Sequence, residues 1–336
     1  MAGDKISTVN SPDITGLSFR HFRGAADFPR MAAVISASAD ADKLERADTA
    51  EDIADAFTHL VNCDPRRDMI LAEVNGEVVG YSRALWWDEY DGSYLYSFVG
   101  FVTPAWRRKG VGRALLHWVE GRLREIAARH PPGHPKLFNA FATQHQRGVS
   151  VMLEREGYEP VRYAFEMLRP TLDSITDYPL PTGLEVREVL PEHYRRIWEA
   201  DVEAAQDTWG AMPPTEEMYQ AWLHNKGVFQ PRLWDVAWDV AADQIAGQVL
   251  AFINRAENDK YDRLRGYTEF IGVRRPWRRR GMARALIARS LRRQKAEGMT
   301  ESALSVDTEN ASGATRLYED CGFHVVRRDT FYRKPL

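Results

Sequence analysis

Cysteine is scarce in this chain. Its 336 residues include two, Cys63 and Cys321. That is too few for a disulfide framework and fits a reducing compartment. Long apolar runs are also missing. None approaches the roughly 18 residues that a bilayer span requires, so no membrane segment is expected. The first residues, Met1 to Gly16, are polar and carry Asp4 and Asp13. Without the apolar core of a secretory leader they read as a flexible tail, and a cytoplasmic protein is expected. Charge is nearly balanced, at a net −3, which argues against a general nucleic-acid binder. Metal-ligand spacing is absent as well. His117, His130, His134, His145 and His224 form no recognisable set. Neither H-E-x-x-H nor a paired C-x-x-C occurs, so no metal is expected.

What is present is an internal repeat. Composition is that of an ordinary globular protein, 44% hydrophobic and 28% charged, and the length suits two domains. Val102-Thr-Pro-Ala-Trp-Arg107-Arg108-Lys109-Gly110-Val111-Gly112-Arg113-Ala-Leu115 returns as Val273-Arg-Arg-Pro-Trp-Arg278-Arg279-Arg280-Gly281-Met282-Ala283-Arg284-Ala-Leu286. Arg107 maps on Arg278, Gly110 on Gly281 and Leu115 on Leu286, all at one constant offset. The expected organisation is a tail over 1–16, a first domain over 17–168, a Pro-rich linker over 169–183 and a second domain over 184–336.

Each half shows the same order of elements. A first strand (17–22, 184–189) precedes two helical stretches, at 25–36 and 51–62 and again at 191–205 and 216–225. A hairpin at 69–85, turning at Asn75-Gly76, matches one at 234–254. Central strands at 94–102 and 267–273 run into the repeated signature. The helix after the first signature carries Val111, Ala114, Leu115, Trp118 and Val119 on one face; its twin begins near Arg279. A strand (136–142, 302–306), a short helix and a last strand close each half. The fold class is α+β, or mixed α/β, twice over: a mostly antiparallel sheet flanked by helices.

A strand that ends in a basic, glycine-containing loop and opens a helix makes an anion site. The first helical N–H groups lack partners and the helix dipole adds positive charge there, so a diphosphate can sit on them. Arg278, Arg279, Arg280 and Arg284 add charge, while Gly281 and Ala283 allow close approach. A helix start with a solvated basic face is the simpler reading of one such match; two copies in matched contexts favour the site.

The pattern Arg107-x-x-Gly110-x-Gly112 and Arg278-x-x-Gly281-x-Ala283 resembles the acetyl-CoA loop of the GNAT superfamily of N-acetyltransferases. The resemblance implies that loop amides hold the CoA pyrophosphate. Arg107, Arg108, Lys109, Gly110, Val111 and Gly112 in one half correspond to Arg278, Arg279, Arg280, Gly281, Met282 and Ala283 in the other, where Arg284 follows as a further cofactor contact. It also implies that the preceding strand splays from its neighbour, leaving backbone near Ile271 and Val273 to meet the pantetheine arm. The block Asn310-Ala-Ser-Gly-Ala314-Thr-Arg-Leu317-Tyr318-Glu-Asp-Cys321-Gly322-Phe323 is similar to the family segment N-x-x-A-x-x-L-Y-E-x-x-G-F. Asn310 reads as a helix N-cap and polar contact to the cofactor. Gly322 ends the helix. Cys321 reads as a buried small residue.

The halves are unequal. Tyr318 matches the family's usual general acid, and Glu269, in Tyr-Thr-Glu-Phe-Ile-Gly-Val, stands where a general base or water-positioning group is found. A surface position for Glu269 and simple packing for Tyr318 are the bland alternatives. In the first half Phe98 replaces Glu269, Leu153 replaces Tyr318 and His145 replaces Asn310. The first half is thus expected to be a degenerate copy. Its loop leaves CoA binding open, as it leaves open a scaffold role. The layout resembles mycothiol synthase-like tandem members, in which the C-terminal half does the chemistry; layout does not establish a substrate.

Acceptors in this family enter beside the first two helices, which here carry Trp198, Glu199, Asp201, Glu203, Asp207 and Trp209. Such a face would suit a cationic amine, although a solvated face with two packed tryptophans is the simpler reading. The expected activity is acetyl transfer from acetyl-CoA to a small-molecule or peptide amine in the C-terminal half, by direct attack. A CoA-binding regulatory protein without turnover is the alternative. Neither nucleic acid nor membrane is an expected partner, and a homodimer is left open.

Overall fold

The computed structural model describes residues 6, 11–310 and 313–336. Most of the expected tail, and Ala311 and Ser312 of the C-terminal block, lie outside the described residues. The part of the tail that is described is not loose. Ile6 donates its N–H to the Phe19 carbonyl at 2.8 Å, and Ile6 and Ile14 pack against the core around Val111 and Leu115.

The chain forms two compact units, Met1–Val161 with Thr330–Leu336, and Arg162–Asp329. The first contains β1 (Leu17–Arg20), α1 (Phe28–Asp42), α2 (Ala50–Phe57), α3 (Pro65–Asp68), β2 (Met69–Val74), β3 (Glu77–Asp88), β4 (Tyr94–Val102), α4 (Val111–Ala127), β5 (Lys136–Thr143) and α5 (Arg147–Arg155). β1 to β4 run antiparallel in sequence order, and β5 lies parallel to β4. The β2–β3 turn has Asn75 and Gly76 at φ 51° and 87°, as a tight hairpin of this twist needs. α2 starts in a capping box between Thr49 and Asp52. α4 buries Val111, Ala114, Leu115, Val119 and Leu123 on the sheet.

β6 (Glu159–Arg169) leads into the second unit. There follow β7 (Leu184–Arg187), α6 (Tyr194–Ala205), α7 (Glu216–Leu223), β8 (Trp234–Asp239), β9 (Gln244–Leu250), α8 (Arg255–Tyr261), β10 (Arg265–Tyr267), β11 (Gly272–Val273), α9 (Met282–Ala296), β12 (Glu301–Asp307), α10 (Ala314–Asp320) and β13 (His324–Pro335). β10 is parallel to β12, and β11 pairs antiparallel with β9.

Three details differ from the sequence reading. The central strand over 267–273 is broken: β10 ends at Tyr267, β11 starts at Gly272, and Phe270 between them is left-handed at φ 49°. Helix α10 is capped by Gly313 at φ 71°, not by Asn310, whose carbonyl accepts the Gly313 N–H at 3.1 Å. The terminal strands also change sides. From Arg162, β6 pairs with β12 of the second unit, while β13 from Thr330 onward belongs to the first. The contact boundary at 161/162 therefore precedes the Pro-rich segment. A strand edge accepts any strand of suitable register, and periodicity does not specify which half supplies it.

Gly80 opposite Val102 and Gly247 opposite Val273 are required by close approach. A Cβ on either would stand 2.8 Å from a carbonyl oxygen of the paired strand, and 3.4 Å from Leu115 or 2.8 Å from Met282 of the signature helix, so a bare backbone lets that helix lie tight on each sheet.

Candidate active site

The signature loop is built alike in both units, and its leading arginine is structural. Arg278 donates Nε–H to the Val273 carbonyl at 2.9 Å, Nη2–H to the Ala204 carbonyl at 3.2 Å, and pairs with Asp207 at 2.8 Å. Arg107 does the same with Val102 at 3.0 Å, Ser38 at 3.5 Å and Asp42 at 2.5 Å. Each guanidinium clamps the strand end to the first helix and is not aimed at a phosphate. Hydrogen bonds from Arg275 and Arg278 hold the Asp207 carboxyl well below the usual carboxylate range. Arg278→Met should therefore cost about 1–2 kcal/mol in urea unfolding and raise the KM for acetyl-CoA. Unchanged unfolding would remove this clamp from the account.

The residue after each arginine is left-handed, Arg108 at φ 60° and Arg279 at φ 63°, and so are Gly110 and Gly281 at φ 90° and 82°. This succession turns backbone N–H groups into a concavity suited to an anion. The first N–H groups bonded into the helices are those of Ala114, to Gly110, and Ala285, to Gly281. Those of Met282, Ala283 and Arg284 are left for a ligand, as are those of Val111 and Gly112. Nothing lies within 4 Å of where a Gly281 Cβ would stand, whereas Pro12 stands 3.0 Å from that of Gly110. Arg279 and Arg280 are exposed and form no ion pair among the described residues. Arg284 pairs with Asp320. Lys109 sits over Trp106 at 4.6 Å. A diphosphate fits the C-terminal loop.

Beside each loop the sheet opens. In the N-terminal unit β4 and β5 stay paired only through Ser97 and Asn139; the Ser97 hydroxyl bonds the Asn139 carbonyl at 3.0 Å. In the C-terminal unit the last bridge is Thr268 N–H to the Ala303 carbonyl at 2.9 Å. Its hydroxyl lies in a buried cluster with Ser302 at 2.8 Å and Gln294 at 2.8 Å. The next residue is Glu269. Its carboxylate, in place of a backbone carbonyl, accepts the Ser305 N–H across the gap at 2.8 Å. Arg274 donates to Ala246 at 3.0 Å, so strand alternation turns Ile271 and Val273 N–H away from β9, into the opening.

Surrounding protein atoms and the neighbouring Glu166 push the Glu269 carboxyl up to about 8, against the lowering effect of the Ser305 N–H. Part of its surface still faces the opening, so it is crowded by protein yet reachable. Tyr318 is buried at 8% exposure. Burial, then the Glu269 charge, push its phenol well above the ordinary range. Leu153 stands in the place of Tyr318 by its backbone bonding: Leu153 accepts from Tyr158 at 3.0 Å as Tyr318 accepts from Phe323 at 3.0 Å. Leu153 is fully buried, and Phe98 stands edge-on to Tyr158 at 6.3 Å. Neither side chain can move a proton.

The face of α6 is mostly committed to structure. Trp198 packs on Tyr219 at 5.3 Å beneath Arg195, and Trp209 lies under Arg162 at 5.7 Å. Glu203 pairs with Arg274 at 2.7 Å. Asp201 differs: it turns to Gln248 on β9. The two thiols are poor nucleophiles, since burial pushes both Cys63 and Cys321 up to about 11. A cavity of about 430 Å³ in the N-terminal unit, lined by His21, Arg67, His117, Trp118 and Arg122, contains none of the sequence-predicted site residues.

The family profile described as "Acetyltransferase (GNAT) family" matches residues 35–131 and 194–323. The chain belongs to the GNAT acetyltransferase family. It is 26% identical over 276 residues to a mycothiol acetyltransferase of Geodermatophilus obscurus, covering 80% of this chain and 82% of that one. It is 27% identical over 248 residues to a mycothiol acetyltransferase of Frankia alni, covering 69% and 68%. A solved GCN5-related N-acetyltransferase from Sphaerobacter thermophilus superposes with a TM-score of 0.71 at 28% identity, covering 96% of each chain. A tandem GNAT protein from the clavulanic acid biosynthesis pathway shares the fold, with a TM-score of 0.66 at 17% identity, covering 95% of this chain and 98% of that one.

As a GNAT N-acetyltransferase with two tandem GNAT regions, the protein uses acetyl-CoA as co-substrate. Among the described residues no helix is long and apolar enough to cross a membrane. Sequence reasoning missed Ser305, Thr268 and Gln294, which hold the opening. Their signal was faint, because hydroxyl and amide residues inside strands and helices look like ordinary surface positions until burial is known.

Proposed function

We propose that the C-terminal unit performs the acetyl transfer, to a small-molecule amine in the cytoplasm, and that the N-terminal unit does not. The observation that carries this reading is the carboxylate of Glu269 bridging the strand opening to Ser305, with the buried Tyr318 phenol close enough to feel its charge. Glu269 takes the proton of the acceptor ammonium, directly or through water. The neutral amine then attacks the thioester carbon. The N–H groups of Ile271 and Val273, free of the β9 ladder, stabilise the oxyanion. Tyr318 gives its proton to the departing sulfur, and the proton that the attacking nitrogen sheds as it becomes an amide returns to the phenolate. The amides of Arg279 to Arg284 and the charges of Arg279 and Arg280 hold the diphosphate. Arg278 supports them from behind by holding the strand end to the first helix.

The two loops give the test. Valine at a left-handed glycine strains the loop and fills the space in front of its amides. Gly281→Val should slow acetyl-CoA consumption with an amine panel about 100-fold more than Gly110→Val does, as expected when phosphate positioning is lost. The reverse ranking would move the chemistry to the N-terminal unit.

A further inference from the structure

Asp201 is a carboxyl of the C-terminal unit that the proton transfers above leave unused and that forms no ion pair among the described residues. It lies on α6, and its Oδ1 is 3.2 Å from the Gln248 Nε2 donor and 3.6 Å from where a Cβ on Gly272 would stand. Gly272 is three residues beyond Glu269, on the strand that lines the opening. Gln248 is itself 1% exposed, and its Oε1 finds no partner among the described residues. A crowded carboxylate with one hydrogen bond, beside an amide with an orphan oxygen, is a polar pair short of donors.

Packing does not require this pair. Ala204 accepts from Arg278 as Ser38 accepts from Arg107, so the residue one turn earlier is Asp201 in one unit and Ile35 in the other. The strand positions correspond as well: Gly272 opposite Gln248, and Phe101 opposite Tyr81. In the N-terminal unit Ile35, Tyr81 and Phe101 form an apolar plug. In the C-terminal unit the same space holds an aspartate, a glutamine and a bare glycine backbone. The swap removes bulk and installs acceptors.

We propose that Asp201 is a specificity-determining residue, accepting a hydrogen bond from a second donor group on the acceptor, so that preferred acceptors are amines carrying a further ammonium or hydroxyl. This rests on the placement of the chemistry in the C-terminal unit. Burial raises the Asp201 carboxyl to about 6, so at neutral pH it is largely ionised and in want of a donor.

The test uses the full chain with propylamine, 3-aminopropanol and 1,3-diaminopropane as acceptors. Wild type should prefer the bifunctional amines. Asp201→Asn should raise their KM about tenfold, the worth of one charged hydrogen bond, while shifting the propylamine and acetyl-CoA KM values less than twofold. The larger effect, on the alcohol or the diamine, names the donor. Asp201→Ile, copying the N-terminal unit, should abolish the preference while acetyl-CoA still binds, which checks that the variant is folded. Calorimetric binding of the same amines to the CoA-loaded chain gives a readout independent of turnover. Preference that depends on Asp201 in binding but without turnover would overturn the assignments of Glu269 and Tyr318 and keep this one. An equal preference in wild type and Asp201→Asn, or none in wild type, overturns it.

Discussion

Glu269→Gln should lower kcat by about 10²–10⁴, the usual worth of a positioned general base, and should at the same time make the protein more resistant to heat at alkaline pH. Both effects come from one carboxyl. Glutamine keeps an oxygen to accept the Ser305 N–H, so the opening is preserved while the proton acceptor is lost. Because the wild-type carboxyl is raised to about 8, its rate should climb with pH and level off above that value, and the variant should lack this limb. The stability sign follows from the same shift. Between the ordinary carboxylate range and pH 8 the folded chain keeps a proton that the unfolded chain has released, so stability falls as pH rises through that window. Glutamine has no proton to lose. Melting curves at pH 5 and pH 8.5 should show the variant ahead of wild type mainly at the higher pH. A variant with the wild-type rate profile would remove Glu269 from the proton path.

Tyr318→Phe should reduce kcat about 100-fold with the acetyl-CoA KM almost unchanged. The ring lies in the core beside Phe323 at 6.5 Å, and phenylalanine preserves that packing. The phenol stays protonated through the working range because burial and the Glu269 charge both oppose its ionisation. It is therefore able to donate whenever Glu269 is able to accept. An acyl donor with a more acidic thiol leaves without help, so an aryl thioester should restore most of the lost rate. Equal deficits with both donors would mean that Tyr318 acts through packing alone.

Much of this protein was legible before any coordinates. The duplicated loop, the helices behind it, the antiparallel hairpins and the inequality of the halves follow from glycines at left-handed positions and apolar residues at fixed spacing, and these are local properties. The pairing of Phe98 with Glu269 could be counted along the chain because the repeat has no insertion between strand and loop, and that of Leu153 with Tyr318 could be counted back from the turn glycines Gly157 and Gly322.

Contacts between distant segments could not be counted in that way. The arginine at the head of each motif reads as a phosphate ligand, yet Arg278 is taken up by Val273, Ala204 and Asp207. The acidic face of α6 reads as one surface, yet Glu203 and Asp207 are neutralised by Arg274, Arg275 and Arg278, leaving Asp201 aimed at Gln248. The exchange of β6 and β13 joins strands far apart in sequence. Residue type and spacing determine which backbone shapes a segment can take, because those energies act over a few residues. Which charges cancel, which carboxyl is desolvated and which strand fills an edge depend on the distances set when segments meet, and the tertiary structure decided them.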